Sequence, residues 1–250
     1  MPDRFAHPAF DPVRPWLGRL RDPLRATHEE LNRLAEEAGV RAAGGAPLRF
    51  VAPSTKPAGY GEYELQIHAT GRVPTRPGSL HDLFNALAWL AFPLTKAALN
   101  ARHAEAIPSE RGRRGPLRDL LTLLDEGGAL VTCAEPGVAA LLRQRDWQAL
   151  FWDQRASTAS SLRVQVLGHA VLEQALDPWP GITCKALVLP TGQDADWEAA
   201  RCVWDLPEDA GPRDLPPLPV FGLPGWWPGQ DAGFYGDARY FRPAGAATRG

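Results

Sequence analysis

The sequence predicts an α+β fold, a single helix-dominated domain with a few short strands and a long irregular C-terminal wrap rich in proline, glycine and aromatics. Three observations lead there. Several stretches carry apolar residues at helical spacing between recognisable start and stop signals. Short β-branched runs flanked by breakers read as strands. Glycine and proline are abundant, 24 and 25 of 250 residues, and they are scattered, which implies many turns rather than a low-complexity repeat. No linker divides the chain, so residues 1–250 are read as one domain, with 1–23 as an extended N-terminal arm anchored by Trp16 and Leu17, and 207–250 as the wrap.

The elements follow in order. "THEELNRLAEEAG" (27–39) opens on a threonine with Glu30 three residues later, a capping box, and stops at Gly39, so it is a helix. "PLRFVA" (47–52) and "YELQIHATG" (63–71) read as strands. "SLHDLFNALAWLAFPLTKAALN" (79–100) is helical, with Ser79 as cap, Asp82 at capping-box spacing and Pro93 breaking or restarting the helix. Pro116 and Gly127 bracket another helix, "LRDLLTLLDEGG". "ALVTC" (129–133) reads as a strand, residues 136–152 as a helix broken near Asp146, and "ASTASS" (156–161) as a loop. "LRVQVLGHAVLEQAL" (162–176) begins extended and turns helical near Gly168. "ITCKALVLP" is a strand and "DADWEAARCVWDL" a last helix.

Composition narrows the class. A net charge of −2 argues against nucleic acid as a partner, even though Arg111, Arg113 and Arg114 form a local basic cluster. Three cysteines without CxxC spacing read as free thiols of a reducing compartment. The N-terminal stretch has no apolar signal-type core, and the longest apolar run, Ala86 to Leu94, is far short of the ~20 residues that span a bilayer. A soluble cytoplasmic protein is therefore expected, without a membrane partner.

The long helical stretch holds the best candidate site. Leu83, Leu87, Leu90 and Leu94 form one apolar stripe, while His81, Asn85, Ala88 and Phe92 form a second, so the helix is expected to be buried on most sides. His81 and Asn85 then point together into protein, where each unpaired polar group costs about 1–3 kcal/mol, and they need partners. Asp125 and Glu126 close a helix at its C-terminal end, where negative charge is disfavoured by about 0.3–1 kcal/mol. Such departures from local rules concentrate at functional sites. Arg118, Thr122 and Asp125 share one face of that helix. His169 and Glu173 stand at i, i+4 on another helix, a spacing suited to metal binding or acid–base chemistry. Arg72 and Arg76 precede a helix N-terminus and are candidates to hold an anion.

Five segments together resemble a bacterial family catalogued as domain of unknown function 3025. They are "TRPGSLHDLFNALAWLAFPLTKAALNARH" (75–103), "RRGPLRDLLTLLDEGGALV" (113–131), "LGHAVLEQAL" (167–176), "PLPVFGLPGW" (217–226) and "YFRP" (240–243). The HDLFNALAWLAFP block is long and unusual, and the segments run from about Phe50 to Pro243. The resemblance implies no activity, cofactor or site.

Two functions fit the residues. In one, the protein is a hydrolase-type enzyme acting on a small anionic or phosphate-containing ligand. His81, Asp125, His169 and Glu173 then bind a divalent metal or act as acid and base, supported by Asn85 and Glu126, with Arg72 and Arg76 orienting the anion. In the other, the protein is a non-enzymatic binding or scaffold protein whose buried polar residues only fix helix packing. The strong enzyme signatures (P-loop, GxGxxG, HExxH, GxSxG) do not occur. The enzyme reading requires His81 and His169 to meet in one pocket.

Overall fold

A computed structural model describes residues 4–54, 59, 61–190 and 194–244. The fold is α+β, about half helical, with its strands in two small sheets. Helices are α1 (Arg14–Leu17), α2 (His28–Glu37), α3 (Glu62–Thr70), α4 (Leu80–Ala91), α5 (Pro93–Ala106), α6 (Pro116–Gly127), α7 (Pro136–Gln144), α8 (Arg155–Ser161), α9 (His169–Gln174), α10 (Ala195–Trp204) and α11 (Ala232–Tyr235). Strands are β1 (Arg49–Val51), β2 (Arg72–Pro74), β3 (Gly128–Cys133), β4 (Leu162–Val166), β5 (Thr183–Val188) and β6 (Pro217–Pro219). The larger sheet runs β4-β3-β5-β6, with β3 and β5 parallel and both outer pairings antiparallel. The smaller pairs β1 with β2 in parallel, Phe50 opposite Val73.

Most local signals act as expected. Thr27 and Glu30 form the full capping box of α2. Pro93 divides the long helical stretch: Phe92, at φ −133° and ψ 57°, ends α4, and Pro93 starts α5. The first turn of α5 has backbone N–H groups without intrahelical acceptors. Asp196 of α10 accepts from Leu94 N at 2.9 Å and Thr95 N at 2.8 Å, which ties α10 onto α5. α4 is buried on nearly every side; Leu83, Leu87 and Leu90 are in the core, but Leu94, beyond the break at Pro93, is exposed, and His81, in the first turn, is part exposed rather than buried.

Four local readings are corrected. "YELQIHATG" is helix α3, not a strand. Its apolar alternation suits both periods, but Glu, Leu and Gln are good helix formers, and the segment packs on α5 rather than beside a sheet. Gly71 ends α3 at φ 68°, where a Cβ would lie about 3.0 Å from the Pro47 carbonyl carbon, so only glycine fits. "ASTASS" is helical: Ser160 and Ser161 return hydrogen bonds to the Ser157 carbonyl, and Thr158 is buried. The C-terminal wrap contributes β6, whose prolines suit a sheet edge. It is otherwise mostly irregular and pinned by aromatics, with Tyr235 packed on Phe151 and Phe241.

Residues 4–23 are not an extended arm. A 3-10 turn at Pro8–Phe10 and helix α1 fold against the core, with Ala9, Phe10 and Val13 fully buried and Phe10 stacked on Phe84 at 5.8 Å. Alternating polar residues hide that apolar set from a periodicity reading. Phe10→Ala is expected to cost about 3–5 kcal/mol in urea unfolding, as for a large core ring. A loss below about 1 kcal/mol would mean the segment is not part of the core.

Candidate functional site

His81 and His169 meet. Their Nε2 atoms are 3.2 Å apart and the rings stand edge to face at 77°. They come from opposite directions, His81 from the first turn of α4 and His169 from the start of α9. Gly168 makes the approach possible. A Cβ there would lie 2.6 Å from the Glu126 carbonyl oxygen, so the chain before His169 runs directly against the end of α6.

Each ring also faces a carboxylate. Nδ1 of His81 is 3.3 Å from Glu173 Oε2, and Nδ1 of His169 is 3.9 Å from Asp125 Oδ2. The second distance is too long for a hydrogen bond, and Nδ1 of His169 is buried without a hydrogen-bond partner among the described residues. The result is a chain of four groups: Glu173, His81, His169, Asp125. One ring proton on each imidazole fills the Glu173–His81 and His81–His169 contacts, which leaves Nδ1 of His169 with a lone pair beside Asp125.

Asp125 is anchored from behind. Lys96 of α5 donates to Asp125 Oδ1 and, at 2.8 Å, to Asn85 Oδ1. Asn85 in turn donates to Tyr63 Oη at 3.3 Å. Lys96 is only 3% exposed. Burial alone would raise the Asp125 carboxyl, but Lys96 and the two neighbouring histidines hold it below the usual range, so it is ionised. That is why α6 tolerates an acid in its last turn: the lysine outweighs the helix dipole.

These groups line a cavity of about 560 Å³. His81, Asn85, Asp125, Glu126 and His169 are all on its wall, while Glu173 meets His81 from outside it. Arg118, Thr122 and Asp125 line it from one face of α6, as their spacing implies. The two expected anion-binding arginines are not used alike. Arg72 is not on the wall; it is exposed, and its backbone pairs with Arg49 in the small sheet. Arg76 is on the wall, but its guanidinium is engaged by Asp82 at 2.8 and 2.9 Å. Ser79 caps α4 through Asp82 N, whereas the Asp82 carboxylate turns to Arg76 instead of closing the capping box. Arg114 also lines the cavity; its Nη2 donates to the Arg118 carbonyl at 3.1 Å, and its Nε makes a half-exposed pair with Asp119 at 3.3 Å.

Several site residues escaped the sequence reading: Tyr63, Glu64, Lys96, Asn100, His103 and Arg114. One signal was available. Lys96, Asn100 and His103 stand at i, i+4 and i+7, a polar stripe on a helix whose neighbours are buried. Asn100 Nδ2 donates to Glu64 Oε2 at 2.6 Å and to the Glu64 carbonyl at 3.0 Å. His103 Nδ1 accepts from Arg118 Nε at 3.1 Å, and Arg118 is further held by buried Glu110 at 2.8 Å. Among the described residues, no group of three or more His, Cys, Asp or Glu side chains is placed to hold a metal ion. No helix among them is long and apolar enough to cross a membrane.

Two outcomes follow from this geometry. Burial pushes His169 down to about 4 and His103 down to about 3, against an ordinary value of 6.5. Unfolding releases both rings to take up protons, so their contribution to stability is complete above about pH 6.5 and lost as pH falls toward 4 and 3. His169 alone accounts for roughly 3 kcal/mol over its window. Urea midpoints measured from pH 7 to 4 should therefore fall with pH, and His169→Gln should flatten the curve; an unchanged curve would mean that His169 is not buried neutral. Secondly, Lys96→Met leaves Asp125 charged and unpaired, at a cost of about 3–5 kcal/mol. Adding Asp125→Asn should recover part of that loss in the same measurement.

Comparison with known proteins yields one positive finding. No curated protein matches the chain, and no solved structure does. A family model described as protein of unknown function (DUF3025) matches residues 48–245, a span that contains the whole cavity wall. The chain belongs to that family.

Proposed function

We propose that the protein is a hydrolase that activates water by general base catalysis on a small anionic or phosphate-bearing substrate. The observation that carries the reading is the contact of two imidazoles flanked by two carboxylates, Glu173–His81–His169–Asp125, at a 560 Å³ cavity. His81 is the ring that meets solvent and substrate, since its side chain is 40% exposed while that of His169 is 5% exposed. In the reaction a water that displaces the His169 contact gives a proton to His81 Nε2 as its oxygen bonds to the phosphoryl or acyl centre and the bond to the leaving oxygen breaks. His169 and Asp125 stabilise the resulting charge from behind. The cavity wall carries no serine or cysteine among the described residues, in keeping with water rather than a side chain as the nucleophile.

Anion recognition falls to Arg114, with Arg118 behind it. Surface pairs such as Arg114–Asp119 contribute about 0–1 kcal/mol, so a substrate phosphate or carboxylate replaces Asp119 at little cost while Nη2 stays on the Arg118 carbonyl. Arg76 does not share this freedom. The buried polar network also supports the scaffold reading, in which Lys96, Asp125 and Asn85 serve helix packing alone.

Hydrolysis of chromogenic phosphate monoesters, phosphodiesters and carboxylic esters by the purified chain separates the two. His81→Ala and His169→Ala should each lower kcat/KM by about 10²-fold or more while circular dichroism stays native, the range for removing a general base. Wild-type protein inert toward the whole panel, or variants as active as wild type, would favour the scaffold.

A further inference from the structure

The proposed hydrolysis lacks an acid for the departing oxygen, and a carboxyl group on the same cavity wall fits that task. Glu64 of α3 lines the same cavity as His81 and His169. Its Oε2 is pinned by Asn100 Nδ2 at 2.6 Å, and Asn100 is itself 3% exposed. The orientation of that amide is chemically determined, because its nitrogen faces the Glu64 carbonyl, which can only accept. The carboxyl is thus held in one place, while its partner at the base end, Asp125, is held by Lys96.

Resting on the reading above, we infer that Glu64 is the general acid of this site, giving its proton to the leaving-group oxygen while the His81–His169 pair takes one from water. The balance is closed. The water oxygen forms its bond to the substrate centre, the bond to the leaving oxygen breaks, His81 gains a proton and Glu64 ends as a carboxylate. The charged groups that act on Glu64 are Asp125 on α6, Lys96 on α5 and Arg118 on α6. Burial raises its carboxyl above the ordinary range; Asp125 adds to this, and the Asn100 amide and the two cations oppose it without reversing it. Two carboxyl groups in one cavity, one pushed up and one pulled down, are the environment in which acid and base roles separate.

The test compares two substrates of the same acid, a 4-nitrophenyl ester and an alkyl ester, in the wild type and in Glu64→Gln. 4-Nitrophenolate departs without a proton and an alkoxide does not. Glu64→Gln should lose about 10²-fold or more in kcat on the alkyl ester and less than about 5-fold on the 4-nitrophenyl ester. Glu64→Ala should regain alkyl-ester turnover with added imidazolium, a small acid that still carries its proton near neutral pH. Equal losses on both substrates, or no loss on either, overturn the acid role. Where His81→Ala abolishes turnover but Glu64→Gln leaves it intact, the base assignment stands and only the acid fails. Wild-type protein that hydrolyses neither ester overturns both.

Discussion

Lys96 carries its ammonium group into the protein interior, and the site is arranged around that charge. A buried cation without partners is prohibitively costly, so Lys96 must be met by a carboxylate and a good acceptor. Asp125 and Asn85 meet it. The pair in turn sets the rest: Asp125 stays ionised beside His169, His169 stays neutral against His81, and Asn85 locks α4 to Tyr63 on α3. Five helices, α3, α4, α5, α6 and α9, are thereby tied to one ion pair.

The backbone that allows this is bent and crowded in specific places. The break at Pro93 lets α4 and α5 come from one apolar stretch yet point their polar residues, Asn85 and Lys96, at the same spot. Gly168 lets the start of α9 lie on the end of α6, which delivers His169 to Asp125. Asp196 then holds α10 across the fresh N-terminus of α5. Each device answers a local demand (a missing donor, a lack of room, an uncapped helix end), and together they place six chemically useful side chains around one cavity.

Much of this was legible beforehand because it depends on short-range physics. Caps, breakers and apolar stripes marked α2, α4, α6 and α9, and the demand that His81 and Asn85, both read as buried, find partners pointed to His169, Glu173 and Asp125, although only Asn85 is buried. What was not legible depended on neighbours. The α3 segment has a pattern that either period accepts, and only its packing on α5 decides for helix. Phe10 looks like part of a solvated arm until Phe84 is beside it. Arg76 looks free until Asp82 is found turning away from its capping role.

Sequence by itself determined the class of fold, the family, the buried polar helix and the shortlist of groups that had to be satisfied inside it, because spacing along a helix determines which side chains share a face. Tertiary structure alone decided who satisfies whom. Lys96 meets Asp125, Arg72 lies outside the cavity, and Glu64, pinned by Asn100, lines it. Those pairings join residues that lie 11 to 88 positions apart, and no local pattern records a contact whose geometry is set by how separate helices pack.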